Sequence, residues 1–155
     1  MIISYDGWIG RCFYMGIMIR NLQILVVADE KNIAELIKSI LEENHFEVHL
    51  LDDPFLALDA FKDDPIRYHI IMYDLSIRKM SAFEFLKQAR EENPDVKFVL
   101  ITTVEIMPSE FDKVLPSLRI DGFLYKQSLS SKIKPTISNL FGPRRLARSN
   151  VDKYR

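Results

Sequence analysis

A doubly wound α/β fold, with a five-stranded parallel sheet in the flavodoxin-like order 2-1-3-4-5 and helices on both faces, is what this 155-residue chain predicts. The first observation is a set of apolar runs that each stop on a polar group. His69-Ile70-Ile71-Met72-Tyr73-Asp74 and Ile24-Leu25-Val26-Val27-Ala28-Asp29-Glu30 end on acids. Val96-Lys97-Phe98-Val99-Leu100-Ile101-Thr102-Thr103 ends on hydroxyls, and Asp121-Gly122-Phe123-Leu124-Tyr125-Lys126 ends on an amine. Unbroken apolar runs of this length are strands buried on both faces, the signature of a parallel sheet. The second observation is helical apolar spacing between the runs, and the third is a capping signal ahead of most of those helices.

The elements follow in order from Leu22. Strand 1 is read as Gln23–Ala28. A helix follows, with Ile33, Leu36, Ile37, Ile40 and Leu41 on one face and Asn32 with Glu35 as a capping box. His45–Leu51 reads as strand 2. Asp53-Pro54, an N-cap residue followed by proline at the first helical position, opens a second helix that buries Phe55, Leu58 and Phe61. Strand 3 is read as Tyr68–Tyr73. Ser81 with Glu84 caps a third helix that ends before Pro94. Strand 4 is Lys97–Ile101. Ser109 with Asp112 opens a fourth helix, with Pro116 expected to shorten or kink it. Strand 5 is Gly122–Tyr125, and a fifth helix runs from about Leu129 to Leu140. Alternating strands and helices imply a parallel sheet with right-handed crossovers and a switch point between strands 1 and 3.

Bulk properties bound the function. The length suits one domain with a sizeable core. A formal net charge of -1 gives no global pull toward nucleic acid or an anionic membrane. One cysteine, Cys12, forms no internal disulfide, so a reducing cytoplasm is expected. Residues 1–21 hold three of the five glycines and the only tryptophan, Trp8, without a clean period. They read as an N-terminal extension, without a basic start and continuous apolar stretch that would mark a signal peptide. Residues 22–141 form the domain, and 142–155 a basic tail expected to be solvated. No run of apolar residues is long enough to span a membrane.

The strand ends carry the chemistry. Open α/β sheets bind ligands outside the C-terminal ends of their strands, at the switch point. Strand order 2-1-3-4-5 brings Asp29 and Asp74 together there, with Thr102 and Lys126 on the next strands. Two acids, a hydroxyl and an amine form a site for a cation and a phosphoryl group. Alone, Asp29 or Asp74 would be a turn residue or helix cap, Lys126 a solvated lysine and Phe123 a core aromatic. Their joint register favours a site. His45, His49 and His69 have no metal-ligand pattern, no glycine-rich loop precedes a helix, and no serine or cysteine has a triad context.

Taken together, residues 22 to about 141 resemble the receiver domain of two-component response regulators. Ala28-Asp29-Glu30 resembles the acidic end of that family's first strand. Asp74 resembles the phosphoacceptor, Met80 the methionine beyond it, Thr102 the hydroxyl closing strand 4, and Lys126 the lysine after strand 5. The resemblance implies that a histidine kinase or phosphotransfer protein passes a phosphoryl group to Asp74. It implies Mg²⁺ held by Asp29, Asp74 and the backbone carbonyl of Ser76. Thr102 would bond the phosphoryl oxygens, Lys126 would pair with their charge, and Thr102 and Phe123 would act as the switch. Such a protein is a signalling phosphoacceptor rather than an enzyme. It would signal to an unknown output protein through the face of helix 4, strand 5 and helix 5, which is also the family's usual homodimer surface.

Several positions depart from the pattern. Ala28 replaces an acid, so Mg²⁺ is expected to bind weakly. Glu30 is a candidate replacement, although alternation along a strand turns it away from Asp29. Arg78 and Lys79 replace a Pro-Gly turn, Ala82 replaces a glycine, and Gln127 stands where proline is expected. Thr103 and Val104 narrow the approach to the acceptor, which predicts a long-lived phosphoryl-aspartate. The remaining residues leave no room for an output domain, which predicts a stand-alone receiver in a phosphorelay. The alternative from the same residues is a degenerate receiver that binds partners without phosphorylation, and a third is a small-ligand flavodoxin-like domain.

Overall fold

The computed structural model describes residues 22–103 and 119–141. Five strands form one parallel sheet in the order β2-β1-β3-β4-β5, as the sequence predicts. They are β1 (Gln23–Val27), β2 (Glu47–Leu51), β3 (Ile70–Asp74), β4 (Lys97–Thr102) and β5 (Gly122–Tyr125). The described helices are α1 (Lys31–Glu43), α2 (Pro54–Asp63), α3 (Ala82–Glu92) and α4 (Leu129–Phe141). The helix α4 is the fifth of the sequence prediction; the one expected from Ser109 lies outside the described residues, as do 1–21 and 142–155.

Alternation along each strand divides the core into two layers, because successive side chains leave opposite faces. Ile24, Val26, Ala28, Ile70, Met72, Val99 and Ile101 pack under α1 and α4. Leu25, Val27, Ile71, Tyr73, Phe98 and Leu100 pack under α2 and α3. Every residue of β3 is buried, including Asp74 at its end. A residue can be that deep only in the middle of a two-sided sheet, so β3 fixes where the acid sits.

The structure corrects several boundaries. The strand β2 begins at Glu47 rather than His45, because α1 closes in a Schellman turn. Asn44 is the last half-helical residue, His45 takes the left-handed conformation at φ 69°, and Phe46 N–H donates to Leu41 O at 3.1 Å. The first helix starts at Lys31 behind Glu30, whose side chain makes no capping bond, so Asn32 and Glu35 form no capping box. Leu36 and Phe55 are exposed, not buried. The faces of α1 and α2 are set instead by Ala34, Ile37 and Leu41, and by Pro54, Ala57, Leu58 and Phe61. The predicted caps at Asp53 and Ser81 are present: Asp53 accepts from Phe55 N–H at 2.8 Å and Ser81 Oγ from Glu84 N–H at 3.0 Å. The strand β3 runs from Ile70 through Asp74, two residues later at its start than predicted and one at its end.

Candidate functional site

Four chain segments meet at the C-terminal edge of the sheet. Registered pairing sets Val27 against Tyr73 and Asp74 against Ile101, so Ala28, Asp74 and Thr102 end their strands side by side. Thr102 in turn pairs with Tyr125, which delivers Lys126 to the same edge. Asp74 is fully buried, Thr102 nearly so, and Asp29 is exposed just beyond β1.

The Asp74 carboxylate has two unlike oxygens. Its Oδ1 accepts from Ser76 N–H at 2.9 Å and from Ser76 Oγ at 2.8 Å. Its Oδ2 is buried without a hydrogen-bond donor aligned on it. Lys126 Nζ stands 3.0 Å from Oδ2 as an ion pair, off the directions a hydrogen bond requires. A carboxylate taken out of water normally keeps all its acceptors occupied, so an oxygen met only by an ion pair calls for a role at this site. Lys126 is itself shared: its Nζ donates to Glu30 Oε1 at 3.1 Å and reaches Ser76 Oγ at 3.4 Å. Burial pulls the Lys126 amine down, but the contacts with Asp74 and Glu30 outweigh it and hold the amine above the ordinary lysine value.

The loop behind Asp74 is fixed from within. Tyr73 O–H donates to Met80 O at 2.7 Å, and Lys79 pairs with Asp53 across 3.5 Å. Burial first, then the charges of Asp29 and Asp74, push the Tyr73 hydroxyl far above the ordinary tyrosine range, so it stays a donor. Lys79, which stands with Arg78 in place of Pro-Gly, thus ties this loop to the start of α2. After Lys126 the backbone is trans, and Lys126–Ser128 form a single 3₁₀ turn that runs into α4. Gln127 thus serves as a helix lead-in where proline was expected.

Sequence reading found Asp29, Asp74, Thr102 and Lys126, and the structure brings their backbones to one edge. Phe123 lies half-buried against the α2–α3 layer, paired with Leu100 across β4 and β5. Two side-chain contacts were missed. The alternation rule turned Glu30 away, yet its carboxylate reaches Lys126, because β1 stops at Val27 and the rule ends with the strand. Ser76 was expected through its carbonyl only, whereas its hydroxyl and N–H both hold Asp74. A short serine two residues after an acid is the local pattern of a side-chain-capped turn, and that signal was available. Val104 lies outside the described residues.

A parallel sheet with an acid, a hydroxyl and an amine at adjacent strand ends defines a class: a doubly wound α/β domain whose polar strand ends gather beside its switch point. Comparison with known proteins makes the class particular. The family model for the response regulator receiver domain matches residues 24–138, so the chain belongs to the receiver domains of two-component systems. The response regulator RR06 of Streptococcus pneumoniae is 31% identical over 83 residues, covering 54% of this chain and 37% of that protein. The transcriptional regulatory protein DltR of Streptococcus agalactiae is 29% identical over 93 residues, covering 60% of this chain and 39% of that protein. The matches thus span less than two fifths of these curated relatives. Among solved structures, a response regulator receiver domain protein of Clostridium thermocellum superposes with a TM-score of 0.68 at 20% identity, covering 81% of this chain and 98% of that one. TrrA of Thermotoga maritima, solved in complex with Mg²⁺ and beryllium fluoride, gives 0.65 at 28% identity, covering 77% and 98%. Receiver domains are signalling proteins that work with histidine kinases or phosphotransfer proteins and typically bind Mg²⁺. No helix among the described residues is long and apolar enough to cross a membrane.

Proposed function

We propose that Asp74 accepts a phosphoryl group from the phosphohistidine of a kinase or phosphotransfer protein. The observation that carries this reading is the buried Asp74 carboxylate, whose Oδ2 faces the Lys126 ammonium without an aligned donor while Oδ1 is held by Ser76. The Ser76 bonds orient the carboxylate, so Oδ2 is the nucleophile. A bond forms from Oδ2 to phosphorus as the bond from phosphorus to the donor's imidazole nitrogen breaks. The imidazole leaves with that electron pair, and Asp74 releases no proton because it attacks as the carboxylate. Thr102 stands at the next strand end to bond a phosphoryl oxygen, and Lys126 neutralises the added charge. Transfer of this kind depends on positioning and charge neutralisation rather than on further covalent help. The receiver unit is residues 22–141, with 1–21 and 142–155 as flanking segments.

The donor set suits Mg²⁺, which takes one or two carboxylates and otherwise water and neutral oxygens. Asp74, Asp29 and the Ser76 carbonyl would hold it, and when bound it would balance the charge shared between carboxylate and phosphoryl oxygens. Ala28, just past the end of β1 and level with Asp74, removes one acid and weakens the ion's hold.

The test is intact mass after incubation with a small phosphodonor, with and without Mg²⁺, for the natural chain and Asp74→Asn. The expected result is one added phosphoryl group that needs Mg²⁺ and is absent from the variant. No addition to the natural chain, even from a phosphorylated kinase, would leave a phosphorylation-independent binding module. The phosphoryl-aspartate is expected to outlast seconds, and a decay within seconds would contradict the narrowing assigned to Thr103.

A further inference from the structure

Lys126 is committed before any phosphoryl group arrives. Three oxygens stand around its ammonium: Glu30 Oε1 at 3.1 Å and Ser76 Oγ at 3.4 Å as hydrogen-bond acceptors, and Asp74 Oδ2 at 3.0 Å as an ion-pair partner. A phosphoryl oxygen that pairs with Lys126 therefore competes with these oxygens for its charge and its donors. Asp74 is fully buried and is the atom group that receives the phosphorus. Ser76 Oγ is tied to Asp74 Oδ1. Glu30 is the partner with a way out: its side chain is 55% exposed against 10% for Lys126, so water takes over its carboxylate readily.

We propose that Glu30 is a positioning residue that holds Lys126 in the empty site and competes with the incoming phosphoryl group for it. This proposal rests on Asp74 being the acceptor. The pair also joins two distant parts of the chain. Glu30 is the residue that opens α1, its carbonyl accepting from Ala34 N–H at 2.9 Å, and its side chain makes no bond within that helix. Lys126 follows β5 directly, 96 residues further on. Displacement of Glu30 cuts this tie, so arrival of the phosphoryl group frees the first turn of α1 from the end of β5. The competition is between like charges: carboxylate and phosphoryl oxygens are both anions bidding for one cation, and the loser is released to solvent.

The experiment uses the full chain, natural and Glu30→Gln, with phosphoramidate as donor in the presence of Mg²⁺. The rate of phosphoryl addition is followed by intact mass at low and high KCl, and the Lys126 Cε resonance is followed by NMR in both proteins before and after phosphorylation. Glutamine keeps the size of the side chain and removes the competing charge. The expected result is addition about three- to fivefold faster in Glu30→Gln at low salt, the scale of a half-exposed ion pair. High salt should close most of that gap, since screening weakens the pair in the natural chain only. In the unphosphorylated protein the Lys126 Cε resonance should differ between the variant and the natural chain, and phosphorylation should narrow that difference, because Glu30 is then already displaced. Addition at an equal or lower rate in Glu30→Gln, with the natural chain phosphorylated, would overturn the proposal and leave the acceptor reading standing. A Lys126 Cε resonance unmoved by the substitution in the unphosphorylated protein would overturn it as well. No addition in the natural chain would overturn the acceptor reading itself, and the proposal with it.

Discussion

Two aspartates at opposite ends of the sheet show how this chain separates structure from function. Asp121 leads into β5 and is nearly buried. Its Oδ2 accepts from Arg90 at 2.8 Å and from Phe98 N–H at 2.8 Å, and its Oδ1 from Arg119 at 3.0 Å. Arg90 also donates to Val96 O and Arg119 O, so one guanidinium stitches α3, β4 and the start of β5 together. Asp74 at the other end is more deeply buried, yet one of its oxygens has no aligned donor. Both are acids beside a cation, and only Asp121 is fully satisfied. A buried polar group with every partner in place stabilises a fold. One left partly open gives up some of that stability and gains a vacant bonding direction.

That comparison can be broken at either end. Arg90→Met should have the largest effect on stability, about 3 kcal/mol measured by urea unfolding, because it leaves Asp121 without its most buried partner. A loss under about 1 kcal/mol would mean that Arg119 alone suffices for Asp121. At the functional end, Ala28→Asp restores an acid next to Asp74. Mg²⁺ affinity by calorimetry should rise about tenfold, roughly 1.4 kcal/mol, while the metal-free protein loses stability to the added like charge. Unchanged affinity would show that the missing acid is not what limits the ion.

Smaller effects sharpen the picture. The amine of Lys126 is raised in the folded state, so its contribution to stability is complete below the ordinary lysine value of about 10.4. It is lost as pH rises through the higher folded value. Alkaline unfolding curves of the natural chain and Lys126→Met should therefore converge above that range, and parallel curves throughout would argue against a charged pair. His45→Gly should be the mildest change, stabilising by up to about 1 kcal/mol, since glycine takes the left-handed turn at the end of α1 without strain. Destabilisation in a melting experiment would mean that the imidazole does more than occupy the turn.

The sequence carried the sheet well, because strands buried on both faces read as unbroken apolar runs and their ends can be seen where the run meets a charge. Helix faces were harder. Phe55 and Leu36 were taken as core, but the layers close to the sheet admit Ala57 and Ala34 instead. Small residues that let a helix approach a sheet weigh little in any apolar count. Asp74 and Lys126 were legible as strand ends. The hold of Ser76 on Asp74 and of Glu30 on Lys126 was not, since each depends on the path of a loop after its strand, and no periodicity governs a loop. The register of β4 with β5 placed Thr102 and Tyr125 side by side, as the topology required.

The most direct measurement sets Asp74→Asn against Asp121→Asn, with unfolding free energy and phosphoryl uptake by intact mass taken on the same samples. Asp74→Asn should fold within about 1 kcal/mol of the natural chain and take up no phosphoryl group, because its charge serves chemistry more than packing. Asp121→Asn should lose about 2 kcal/mol or more and still be phosphorylated at the natural rate under folding conditions. Phosphoryl uptake that survives in Asp74→Asn, or that fails in a folded Asp121→Asn, would contradict the division of roles between the two ends of the sheet.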